Sequence, residues 1–213
     1  QNILRGLRDE VRGQQAKQKR SKKEQEREIV FPVLLKKVKA LVRKVEWSAK
    51  NWKTLQKAVV LACYTYIPPL RLDWATAELA KTKQGNYVDW SSKKYHVKEF
   101  KNVKSMGPQE VDLKPVMTVL RKWKKVRETF APESSRLFLT GKRAGYSKNS
   151  FGRYLSKCLR EVYGKPTGVA DLRKSYVTYK TTGKALPLLE REKLARSMLH
   201  SVGAQSLWYQ KFD

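Results

Sequence analysis

Large apolar residues recur along this chain with two different periods, and the points where the period changes divide it into elements. In residues 1–28, "QNILRGLRDEVRGQQAKQKRSKKEQERE", Ile3, Leu4, Leu7 and Val11 fall at helical spacing and no large apolar residue follows them. That segment reads as a basic arm or interdomain linker, helical at its start. From Ile29 the pattern changes. In "IVFPVLLKKVKALVRKVEW" the apolar positions Leu34, Leu35, Val38, Leu41, Val42 and Val45 alternate with lysines, which predicts an amphipathic helix with a basic outer face. "NWKTLQKAVVLACYTY" reads as a more deeply buried helix, stopped by Pro68 and Pro69. Alternating segments at 86–90 ("NYVDW"), 94–100 ("KYHVKEF") and 109–113 ("QEVDL") predict three short strands. Helical periodicity resumes in "KPVMTVLRKWKKVRETF", with Pro115 near its first turn, and continues at 147–163, 169–181 and 187–199, with a last short helix bearing Tyr209. The predicted fold class is mainly α with one small antiparallel β-sheet (α+β), and residues 29–213 form the main folded unit.

Composition supports a packed interior. In a chain of 213 residues, 40% hydrophobic content with six Trp, ten Tyr and six Phe is enough to build one sizeable core. Charge then restricts the partner. Forty-seven Lys and Arg against nineteen Asp and Glu give a formal net charge of +28, which repels itself unless a polyanion neutralises it. DNA or RNA is the natural partner, and composition alone does not exclude a ribosomal-type RNA binder. An anionic membrane is disfavoured because no apolar run approaches the roughly 20 residues of a spanning helix. Cys63 and Cys158 stand far apart in apolar or amphipathic runs and read as reduced core thiols of an intracellular protein. The two histidines, His96 and His200, are too few for a structural zinc site, and no metal or other cofactor is expected. No signal peptide opens the chain, and Gln1 in place of Met is expected of a piece of a longer protein.

The end of the chain, "SMLHSVGAQSLWYQKFD", places His200 nine residues before Tyr209. Breaking a DNA strand without a metal requires a nucleophile, cationic donors for the nonbridging oxygens and an acid for the departing 5′ oxygen. Tyr, Arg, His and Lys suit those roles, since arginine matches phosphate with a planar fork and tyrosine forms a stable ester. Three further stretches carry such residues in order. They are Arg71 in "YIPPLRLDWATAEL", after a helix and tight turn and before another helical run; Lys101 and Lys104 in "HVKEFKNVKSMGPQEVDL", between two strands; and Arg173 in "GVADLRKSYVTYK".

In this order and setting, the four motifs resemble the catalytic domain of the tyrosine recombinases, the phage-type integrase superfamily that shares its core with type IB topoisomerases. The likeness spans roughly residues 30–213, and "IPP" before Arg71 is similar to integrases of large DNA viruses and eukaryotic mobile elements. It implies catalytic roles for Arg71, Lys101, Arg173, His200 and Tyr209, with Lys101 preferred over Lys104 as the first lysine of the K-x-x-K pattern. The chain departs from the pattern at Ala170, where recombinases carry His and the topoisomerases Lys, and at Met198 and Leu199, which replace Leu and Gly. Lys104, Lys142, Arg143, Lys148 and Lys174 are the expected DNA-binding residues; Lys142, Arg143 and Lys148 look suited to positioning phosphate rather than reading bases.

The resemblance further implies cleavage and rejoining of double-stranded DNA through a 3′-phosphotyrosyl intermediate by a homo-tetramer on paired sites. The protein would act wherever DNA is kept: nucleus, nucleoid or viral factory. Residues 1–28 would be the tail of a preceding core-binding domain and its linker. Two alternatives stay open: a type IB topoisomerase relaxing supercoils, and a decayed domain that only binds DNA. Phe138, Phe151, Tyr154 and Leu155 read as core residues, and Trp47, Trp52, Trp74, Trp90 and Trp123 as core or interface anchors.

Overall fold

Every third or fourth residue of helix α1 (Phe31–Lys44) faces inward, with Phe31, Leu34 and Val38 buried and the lysines between them in solvent. The computed structural model describes residues 25–183 and 186–200, so the arm assigned to residues 1–28 lies, apart from its last four residues, outside the described residues. Pro32 occupies the first turn of α1, where a missing N–H costs no helical hydrogen bond. Helix α2 (Trp52–Thr65) is the central element: Leu55, Gln56 and every residue from Ala58 to Thr65 are buried. Helix α1 and the later helices at residues 117–130 and 148–163 pack against it.

The sheet has the order β1-β2-β3 and is antiparallel throughout, from β1 (Tyr87–Asp89), β2 (Lys94–Val97) and β3 (Gln109–Asp112). The register aligns Val88, Tyr95 and Val111 on the inner face and Tyr87, His96 and Glu110 on the outer one. Tyr95 stacks flat on Trp74 with ring centroids 4.2 Å apart and donates its hydroxyl proton to the Asp73 carbonyl at 2.7 Å. One half-buried carboxylate fixes the β1–β2 turn. Asp89 accepts from the backbone of Ser91 at 3.0 Å and of Ser92 at 3.2 Å and from the Ser91 hydroxyl, bonds that hold its carboxyl below the usual range.

A short helix, α3 (Val103–Met106), interrupts the β2–β3 connection, and α4 (Met117–Phe130), α5 (Lys148–Tyr163), α6 (Val169–Thr181) and α7 (Leu188–Ser197) complete the described fold. Helix α5 starts at a reciprocal cap: Ser147 Oγ accepts from the Ser150 backbone at 3.1 Å and Ser150 Oγ from the Ser147 backbone at 3.0 Å. It stops at Gly164, whose φ of 90° only glycine adopts readily. Phe138, Phe151 and Leu155 are buried in the core with Trp74 and Trp123, while Trp47, Trp52 and Trp90 pack against its edge. Tyr154 is partly buried, and both cysteines are buried and free.

The sequence expectations differ from the structure in several places, among them the start of α4 at Met117, which leaves Pro115 outside the helix it was expected to open. The helical run expected after Arg71 is a single 3-10 turn, Asp73–Thr76, because the Glu78 and Leu79 N–H groups donate to Asn86 and Ser135 carbonyls instead of continuing a helix. Strand β2 ends at Val97 rather than residue 100. There the Lys98 and Glu99 N–H groups turn to the buried Asn86 Oδ1, both at 2.8 Å. Helix α3 has no signature in the periodic pattern.

Candidate functional site

Arg71 is held by its backbone. Helix α2 ends before Pro68 and Pro69, and the hydroxyl of Tyr64, its next-to-last residue, donates to the Arg71 carbonyl. Two residues on, Asp73 is fixed through its carbonyl by Tyr95 and Asn86. The Asp73 side chain is only 4% exposed, and burial pushes its carboxyl up from the ordinary value. The cations Lys148, Arg173 and Arg71, together with a backbone hydrogen bond from Arg71, pull the other way. Asp73 therefore marks a point that three positive side chains from three segments share. Sequence reading passed it over, although an acid two residues from an arginine in so basic a chain was a usable signal.

Helix α6 begins at Gly168, whose N–H donates to Asp171 Oδ2 at 2.9 Å in the first turn. Arg173 lies one turn further along and is 1% exposed. Its Nη1 donates to the Pro69 carbonyl at 2.6 Å and its Nη2 to the Met198 carbonyl at 3.0 Å. One guanidinium thus joins the loop of Arg71 to the segment of His200. Ala170 is exposed three residues before Arg173, hence on the same helical face, and adds no polar group there.

After α7 the chain makes a sharp turn. The His200 N–H donates to the Ala195 carbonyl at 3.1 Å, and Leu199 adopts φ 57°, the left-handed conformation that glycine favours. A leucine in that conformation carries backbone strain that a glycine would not. Leu199 is 3% exposed and His200 fully buried. The Leu199 carbonyl accepts from Asn102 Nδ2 at 3.2 Å, and Asn102 is the N-cap of α3, next to Lys101. Nothing in the sequence pattern singles out Asn102.

The four motifs therefore meet. Pro69 and Arg71, Arg173, Met198 to His200, and Asn102 beside Lys101 are tied by direct hydrogen bonds that run from one segment to the next. Lys101 and Lys104 are exposed on the connection, and neither forms an ion pair with a described carboxylate. Lys148, exposed at the first position of α5, reaches the site through the field at Asp73. Lys142 and Arg143 sit apart, on an exposed loop closed by a Leu139–Gly145 bridge, with Arg143 at φ 61°. Lys174 is half-buried beside Arg173. Tyr209 lies outside the described residues. Among the described residues, no cluster of His, Cys, Asp and Glu suited to a metal is present, and no helix is long and apolar enough to cross a membrane.

Among solved structures, the chain is similar to a crystal structure of XerA recombinase, with a TM-score of 0.58 and 11% identity. The match covers 92% of this chain and 61% of that one, so the chain spans about three fifths of the recombinase it matches. The fold is that of a tyrosine recombinase catalytic domain. No protein-family model and no curated protein sequence matches the chain.

Proposed function

We propose that this chain is the strand-cleaving and strand-joining domain of a tyrosine recombinase acting on double-stranded DNA. The convergence of four separated motifs through Arg173 and Asn102 carries this reading. Tyr209 gives up its phenolic proton to solvent and attacks the scissile phosphorus, forming a 3′-phosphotyrosyl ester while the bond to the 5′ oxygen breaks. Lys101 supplies the proton to that oxygen, leaving a free 5′-hydroxyl. Arg71, Arg173 and His200 stabilise charge on the nonbridging oxygens. Attack by a second 5′-hydroxyl on the ester reverses the chemistry, so the bond energy is kept and no ATP is consumed. A guanidinium that now donates to two neutral carbonyls gains a charge-assisted partner when it exchanges one of them for a phosphate oxygen. Recombination in this manner requires paired sites and four protomers, and it places the protein wherever its DNA is kept.

Ala170 favours a second reading, a domain that retains the basic surface but has lost strand cleavage. Product assays separate these activities. Recombination of a plasmid carrying two copies of the cognate site supports the proposal. Relaxation of a supercoiled plasmid without exchange identifies a topoisomerase-like outcome. Tight, salt-sensitive binding with neither product identifies the DNA-binding reading.

A further inference from the structure

Away from the candidate site, a cavity of about 330 Å³ opens between α2, α5 and the loop before α5. Its position follows from the helix. A Cβ on Gly152 would lie 3.2 Å from Leu72, so that face of α5 meets the Arg71 loop. Tyr154 is two residues on, about 200° round the helix, and lines the cavity instead.

The floor of this cavity is polar and held in place. Gln56 donates to the Leu139 carbonyl and accepts from the Leu139 N–H, both at 2.8 Å, and its amide lies 3.5 Å from the Tyr146 hydroxyl. The Tyr154 hydroxyl oxygen is buried and has no hydrogen-bonding partner among the described residues, although the Gln56 amide and the Cys158 thiol lie close enough to influence its ionisation. Burial pushes Tyr146 up to about 12 and Tyr154 further, so both phenols keep their protons. The wall is aromatic, since Trp52 is backed by Phe130 at 4.7 Å. Lysines crowd the rim: Lys53 lies over Trp52 at 5.8 Å, while Lys57 and Lys157 share one carboxylate, Glu161, at 2.8 and 4.0 Å. Three cations against one anion leave the rim positive.

We propose that this cavity binds a nucleotide, with the planar heterocycle beside Trp52, its polar edge on Tyr154 and Tyr146, and its phosphate at the lysine rim. An aromatic wall, convergent neutral hydroxyls and excess positive charge at the mouth match the three parts of such a ligand. The site stands independently of the strand-cleavage reading. The nucleotide could come free from solution or as an unpaired nucleotide of bound DNA.

The test uses the full chain. Adenosine 5′-monophosphate is titrated by equilibrium dialysis, and a duplex with one unpaired adenosine is compared with its fully paired counterpart. Tyr154→Phe should weaken binding about three- to tenfold and Lys57→Met, on the rim, by about tenfold. Thermal midpoints of both variants are read alongside to show that they fold. Binding of the monophosphate that both variants weaken assigns the free nucleotide. A preference for the unpaired duplex that both variants abolish assigns the nucleotide in DNA. No monophosphate binding at millimolar concentration together with equal affinity for the two duplexes overturns the proposal, as does binding that neither variant changes.

Discussion

Arg173 and Met198, 25 residues apart, are joined by a hydrogen bond of 3.0 Å from a fully buried guanidinium to a backbone carbonyl. The same side chain reaches Pro69, so it fixes the spacing between the Arg71 loop and the turn carrying His200. Arg173→Ala leaves two carbonyls without their donor and should cost about 3 kcal/mol. In a domain of this size the thermal midpoint would fall by roughly 6–12 °C. Arg173→Lys lacks the fork that reaches both carbonyls at once and should recover only part of that loss. Thermal unfolding of the three proteins checks the order; a lysine variant as stable as wild type would contradict the bridging role.

Asp73 makes stability depend on pH in an unusual direction. Its carboxyl is raised in the folded state, so its contribution is fully present below the ordinary value of 3.8 and is lost as pH rises through the higher folded value. Asp73→Asn removes that dependence and should flatten the stability profile just above pH 4. The same substitution deletes the negative charge shared by Arg71, Arg173 and Lys148, so strand cleavage should fall by more than stability does. Urea titrations at several pH values beside single-turnover cleavage separate the two effects.

At Leu199 two costs compete. Leu199→Ala keeps the left-handed backbone and loses a buried side chain, an expected destabilisation of about 2–5 kcal/mol. Leu199→Gly loses the same packing but relieves the backbone, so it should be more stable than the alanine variant by about 1 kcal/mol. That order reverses the usual ranking of the two residues. Chemical denaturation of both proteins decides it, and an alanine variant more stable than the glycine variant would contradict the strained turn.

Lys142, Arg143 and Lys148 are exposed and form no ion pair with a described carboxylate. Each changed singly to Ala should weaken DNA binding similarly for all sequences and lower the salt slope by about one. Lys148→Ala should in addition slow cleavage, because Lys148 alone of the three acts on Asp73. Filter binding over a salt series, with cleavage rates, tests this difference.

The parts of the molecule legible in the sequence are those whose pattern is local. Leu34, Val38 and the apolar positions that follow them show α1 directly, and local alternation shows the three strands, whose register the structure then gives. Arg71, Arg173 and His200 were readable as a set through the order of their motifs. What pattern could not reveal depends on partners distant in the chain. The early end of β2 is decided by Asn86, and the link between Lys101 and the His200 segment by Asn102 meeting a carbonyl 97 residues away. Likewise, the left-handed turn at Leu199 was hidden because leucine gives no local cue for it.

The most direct measurement is covalent trapping on a nicked suicide substrate, whose short 5′-hydroxyl fragment diffuses away after cleavage so that the strand cannot be rejoined. A pool of candidate duplexes is offered to the wild-type chain, Tyr209→Phe and Arg173→Lys, each shown to be folded. The account predicts a protein–DNA adduct with wild type, none with Tyr209→Phe, little with Arg173→Lys, and a mapped phosphotyrosine at Tyr209. An adduct that persists in Tyr209→Phe, or tight salt-sensitive binding to the cognate DNA with no adduct, would contradict it.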